Sequence, residues 1–94
     1  MRLLSGIEKV HINGCEIDID TAILLERRDE WRLTLRSWKQ DLRFLQELSE
    51  VDVSVRCAAG WLSGRAIAWN THKYPKRGDS TALLTGTSPL SRKG

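Results

Sequence analysis

The side chains best suited to metal or nucleophilic chemistry are few in this sequence: two cysteines, Cys15 and Cys57, and two histidines, His11 and His72. Cysteine and histidine are the ligands of tetrahedral zinc, yet none of the close paired spacings of structural zinc sites is present. Cys57, His72 and Asp79 supply the types needed for a thiol nucleophile, a base and an orienting carboxylate. Nothing in their spacing forces them together, so the expectation is inert buried thiols and surface imidazoles. No Walker loop, dinucleotide fingerprint or paired-carboxylate motif occurs. Carboxylates of glycosidase type can lie far apart along a chain and leave no such signature. No catalytic residue, metal or cofactor is assigned, and a role in binding or assembly is expected instead of catalysis.

Two other groups of residues point to contact. Lys73-Tyr74-Pro75-Lys76-Arg77 mixes basic charge with an aromatic ring, a combination that can hold phosphates and stack a base. One short patch makes few phosphate contacts, so nucleic acid stands behind protein as a partner class. Arg77-Gly78-Asp79 spells an adhesion tripeptide but is also ordinary turn chemistry. Four tryptophans are many for 94 residues, and tryptophan is enriched at binding hot spots. Trp31 and Trp38 follow inward patterns and are assigned to the core. Trp61 and Trp69 share one strand face with Ser63, Arg65 and Ile67. The expected interface is therefore Trp61, Arg65, Trp69, Lys73, Tyr74, Lys76 and Arg77.

The elements that would position these residues follow from periodicity. Asn13-Gly14 between two alternating segments predicts a β-hairpin with a type I′ turn. Its register puts Val10, Ile12, Cys15, Ile17 and Ile19 on one apolar face, with Lys9 opposite Asp18 and His11 opposite Glu16. Residues 22–28 and 31–37 read as two further strands, the second with Trp31, Leu33 and Leu35 inward and Arg32, Thr34 and Arg36 outward. Ser37-Trp38-Lys39-Gln40 matches a capping box. With Leu42, Leu45 and Leu48 at helical spacing, it predicts one amphipathic helix over residues 38–49. Val51, Val53, Val55 and Cys57 alternate with polar residues, and a turn at 58–60 leads to a strand from Trp61 to Trp69. In that strand Gly64, Ala66 and Ala68 suggest close backbone approach. Residues 70–79 are expected as a long exposed loop, residues 80–87 as a final strand broken by Ser88-Pro89, and 91–94 as a mobile tail.

These elements describe an α+β fold: a small, mostly antiparallel β-barrel or sandwich of about six or seven strands with one helix. Length and the absence of repeats or linkers place all 94 residues in a single domain with flexible ends at about 1–5 and 91–94. The net charge of +3, from 15 Lys and Arg against 12 Asp and Glu, favours an acidic partner only weakly. The sparse cysteines suit a reducing cytoplasm. The first residues lack an apolar stretch of signal-peptide length, and no run reaches the roughly 20 residues of a membrane span.

From about residue 38 onward the order is helix, strand, turn, strand with Gly64-Arg65-Ala66, long loop, then Ser80-Thr81-Ala82-Leu83-Leu84-Thr85-Gly86-Thr87-Ser88-Pro89-Leu90. This order resembles the C-terminal half of the tail tube proteins of long-tailed bacteriophages. The resemblance implies a small barrel or sandwich flanked by one helix, with subunits closing into stacked rings, as in the related type VI secretion tube. The chain is short, leaving little room for an inter-ring arm, and basic where tube lumens tend to be acidic. Both departures suit a baseplate or tail-terminus component. The expected function is thus a structural protein that self-associates through sheet edges and the 70–79 loop, in the host cytoplasm or the virion. The rival expectation is a small phage-type inhibitor or adaptor that captures a host protein through its Trp and basic surface.

Overall fold

The computed structural model describes residues 2–4, 6–58 and 60–93. Among these the chain forms nine strands: β1 (Arg2–Leu4), β2 (Lys9–Ile12), β3 (Cys15–Ile17), β4 (Thr21–Arg27), β5 (Glu30–Ser37), β6 (Glu50–Cys57), β7 (Gly60–Lys73), β8 (Ser80–Gly86) and β9 (Ser91–Lys93). All pairings are antiparallel, in the order β1-β4-β5-β8-β7-β6-β2-β3, with β9 on β7. The fold is β-rich and the sheet curls into a half-barrel.

Asn13 and Gly14 adopt φ of 52° and 81°, the left-handed pair that a type I′ turn requires. Val10 faces Ile17, His11 faces Glu16 and Ile12 faces Cys15, the register expected from the sequence. This hairpin does not stop at the end of β3. β2 pairs with β6 while β4 pairs with β5, and β1 lies on β4. The N-terminal ribbon therefore bends around residues 18–20 and serves both halves of the curl. Asp20 holds the bend, its N–H donating to the Arg36 carbonyl at 2.9 Å and its carboxylate accepting from the Trp38 N–H at 2.6 Å.

The opposite side of the curl is made by β7, which is long enough to belong to two neighbourhoods. Residues 60–67 pair with β6. On its other edge, 61–63 pair with β9 and 66–73 with β8, with a bulge between Ala68 and Asn70. A bulge bends a strand and strengthens its twist, and here it marks the crossing from one neighbourhood to the next.

Strict alternation on β5 and β6 buries Trp31, Leu33, Leu35, Val51, Val53, Val55 and Cys57 on the concave side. Trp31 closes one end. It is 2% exposed, donates its indole N–H to the Ser88 carbonyl at 2.6 Å, and lies against Gly64 of β7 and Gly86 of β8. The close backbone approach expected at Gly64 is thus an indole resting on it. The other end is closed by Leu42 and Leu45, both fully buried.

Leu42 and Leu45 belong to a 3₁₀ helix, Leu42–Glu47, and not to the amphipathic α-helix expected over 38–49. The cause is competition for the backbone donors. The Ser37 hydroxyl accepts from the Lys39 and Gln40 N–H groups as a local turn, and Asp41 is the residue that caps the helix. The Leu42 N–H donates to Ser80 Oγ at 2.9 Å, and that hydroxyl donates to the Gln40 carbonyl at 2.7 Å. With these donors committed elsewhere, Trp38 stays outside the helix and is 51% exposed, contrary to its assignment to the core.

Four further expectations change. Residues 70–79 are not one long loop, because Asn70 to Lys73 continue β7 and pair with β8, leaving a turn at 74–79. Cys15 is exposed although its hairpin neighbours are buried, since β3 is an edge strand and Cys15 lies at its tip, beside the turn. Lys9 reaches Glu16, at 3.9 Å, and has no ladder pairing with Asp18. Residues 2–4 and 91–93, expected within flexible ends, form the short strands β1 and β9.

Candidate functional site

The interface expected around the second hairpin separates into three places along β7. Near its start, Trp61 is half-buried with its ring 5.1 Å from His11. Two pairs along the same face, the Arg65 guanidinium lies 3.1 Å from Glu50 and 3.3 Å from Asp52. Arg65 is therefore committed to its neighbours on β6. Its backbone N–H is also engaged, donating to Ser88 Oγ at 2.9 Å.

Trp69 stands at the bulge, where the ladder steps from Ala68 to Asn70, and is 52% exposed. Ile67, 44% exposed on the same strand, pairs with Glu50. Two residues before Glu50 comes Leu48, also exposed. Leu48, Ile67 and Trp69 make the apolar region of this end of the sheet. Leu48 was assigned inward from helical spacing, and its exposure follows from the helix ending at Glu47.

Lys73, Tyr74, Lys76 and Arg77 lie in or beside the β7–β8 turn, and most of them are tied inward. Lys73 donates to the Gly78 carbonyl at 2.9 Å. Arg77 donates from Nε to Asp79 Oδ1 at 2.9 Å and from Nη2 to Oδ2 at 2.7 Å, and its guanidinium lies 3.9 Å above the Tyr74 ring. His72 meets that ring edge-on, 4.2 Å between centroids. Among the described residues Lys76 has no ion-pair or side-chain hydrogen-bond partner.

Asp79, which the sequence offered only as an orienting carboxylate or a turn residue, is instead a buried ion-pair centre. Its side chain is fully buried, and Arg36 approaches it at 3.5 Å from the second side. The hydrogen bonds from Arg77, helped by the charge of Arg36, hold its carboxyl below the usual carboxylate range and raise Arg77. A buried carboxylate needs such partners. The signal for it was the outward Arg36 on a strand with no facing acid in its own hairpin.

Cys57, His72 and Asp79 are not brought together. Cys57 ends β6 with its thiol near the Gly60 carbonyl at 3.5 Å, at the opposite end of β7 from His72. His11 and Cys15 are likewise not joined, and among the described residues no three His, Cys, Asp or Glu side chains are grouped to hold a metal ion. No helix among them is long and apolar enough to cross a membrane.

The outer face of β4, β5, β8 and β7 carries rows read directly from the register. Ile23 lies beside Thr34, Leu83 and Asn70, and Thr21 beside Arg36, Thr81 and His72. Between these rows sits a shallow depression of ≈ 430 Å³ lined by Thr34, Asn70, His72, Tyr74, Thr81 and Leu83. No family model, curated protein or solved structure matches this chain.

Proposed function

We propose that this protein is an assembly subunit that associates with copies of itself through the apolar region at the β7 bulge. The observation that carries the reading is the exposure of Leu48, Ile67 and Trp69 at one end of the sheet. An indole projected into water by a bulge gives up apolar burial at about 25 cal/mol per Å², and covering it by a partner recovers that energy. Bulges beside functional sites commonly serve to re-aim a side chain. The short strands β1, β3 and β9 supply exposed sheet edges that add pairing to this contact. Its finer form is a phage-type tail tube or baseplate component, working in the virion or the host cytoplasm. That form rests on the strand order and the Ser80–Leu90 motif alone. No catalytic step belongs to the proposal.

Light scattering coupled to size exclusion over a range of concentrations tests it. A mass above one chain that falls to the monomer in Trp69→Ser, with an unchanged melting temperature, supports self-association. A monomer at every concentration refutes it. That outcome would favour the second reading, an inhibitor or adaptor that takes a host protein with the same tryptophan and with Lys76, the turn cation left without an ionic partner.

A further inference from the structure

The two outer faces of the curl carry their charge differently. On β2, β6 and the first half of β7 the cations are matched: Arg65 lies 3.1 Å from Glu50, Arg56 3.7 Å from Glu8, and Lys9 3.9 Å from Glu16. On the outer face of β5 and β8 they are not. Arg32 has no carboxylate at ion-pair distance among the described residues, while Arg36 and Arg77 share the single carboxylate of Asp79, at 3.5 Å and 2.7 Å. Around the depression between these strands, three guanidinium groups are thus set against one carboxylate, and no acid lines the depression itself.

The chemistry of the lining narrows the partner. Thr34 and Thr81 offer hydroxyls and Asn70 an amide, all able to donate or accept. Along one rim the Tyr74 ring carries the Arg77 guanidinium 3.9 Å over its face and meets the His72 ring edge-on, and both His72 and Arg77 are exposed. Arg32 and Arg36 are four residues apart on one strand, about 13 Å at the usual rise. That is too far for both to grip one phosphate, so they suit a chain of anions and not a single small ion. Planar stacking surfaces next to spaced arginines are the means by which single-stranded nucleic acid is held, bases on the flat groups and phosphates on the cations.

We propose that this face binds single-stranded nucleic acid. Arg32 and Arg36 take backbone phosphates, the Thr34 and Thr81 hydroxyls and the Asn70 amide reach sugar or base edges, and a base stacks on the outer side of His72 or Arg77. An acidic protein would engage the charge but has less use for exposed planar groups on which a base can lie, which makes it the rival that the test must separate.

The test is fluorescence anisotropy of the full chain with labelled oligothymidylate and oligouridylate at low salt, with a DNA duplex and polyglutamate as controls. Binding of either single strand should fall with added salt, and Arg32→Ser with Arg36→Ser should flatten the slope of log K against log salt by about 1.4, two contacts at about 0.7 each. Because Arg36 also touches buried Asp79, Thr34→Glu provides a variant on an exposed position. It should keep the wild-type melting temperature and lose binding at least tenfold. A preference between the two strands distinguishes DNA from RNA within the proposal. No anisotropy change with either, equal binding of the duplex or of polyglutamate, or full binding by Thr34→Glu would overturn it.

Discussion

Replacing Gly86 with alanine is the sharpest probe of how Trp31 caps one end of this half-barrel. Gly86 is not among the glycines with positive φ, which are Gly14, Gly60 and Gly78, so its backbone accepts a side chain. On strand propensity alone the change to alanine should stabilise the protein by about 0.5–1 kcal/mol. The surroundings reverse that sign. A methyl at position 86 would lie 2.6 Å from Trp31 Cδ1 and closer still to Nε1 and Cε2, where ordinary carbon contacts are about 3.5–4.0 Å. The indole must move by about 1 Å or more, and Trp31 is 2% exposed with the core behind it. Overpacking of this kind costs about 1–3 kcal/mol, and pulling Nε1 from the Ser88 carbonyl leaves a buried donor worth about 1–3 kcal/mol. A net loss near 3 kcal/mol is expected, which for a domain of this size lowers Tm by about 12–24 °C. Thermal melts of the wild type, Gly86→Ala, Trp31→Phe and the double variant check it. The smaller ring should relieve the clash and give a coupling energy of about 0.5–3 kcal/mol. An alanine variant as stable as the wild type, or strictly additive single changes, would refute the reasoning.

Gly14→Val should destabilise the protein by about 1–2 kcal/mol, because φ of 81° forces the side chain into left-handed space; chemical denaturation reads this directly. Cys15 should react rapidly with a thiol reagent in the native state and Cys57 only on unfolding, since the first is exposed and the second buried, so mass spectrometry of timed labelling should show one adduct. The depressed Asp79 carboxyl contributes stability that is fully present above the unfolded value of about 3.9 and is lost as pH falls through the lower folded value. Asp79→Asn should therefore flatten the acid limb of the stability curve below about pH 4, and an identical limb in both proteins would remove the role given to Arg77 and Arg36.

How far the sequence could be read depends on where each residue's partner lies. The first hairpin was legible to the register because Asn13-Gly14 and the pairing of Val10 with Ile17 are local. The strands around Leu33 and Val53 were legible because alternation needs only the strand itself. The helix over 38–49 failed for a nonlocal reason: its leucine spacing was sound, but Ser80, 38 residues away from Leu42, took the backbone donor that a helix would have used. Asp79 read as a turn residue because Arg36, the cation on its other side, comes from a strand far back in the chain. Trp61 and Trp69 were rightly placed on one strand, while the bulge that separates their surroundings leaves no trace in composition.

The placement of β8 between β5 and β7 has a consequence for how the chain is made. Synthesis proceeds from the N-terminus, and early segments begin to fold before later ones exist. Until residue 80 emerges, the ribbon can already join β5 on one side to β6 and β7 on the other, leaving a gap whose two borders are strands bearing Leu33 and Leu35, and Ala66 and Ala68. Both borders carry unpaired backbone groups, the kind of edge on which other chains add. Closing the gap brings Ser37 against Ser80 across 43 positions, and such long-range pairing is slow to form. The nascent chain is thus most open to sticking to its neighbours just before its eighth strand arrives, and a chain truncated at residue 79 should stay in that state.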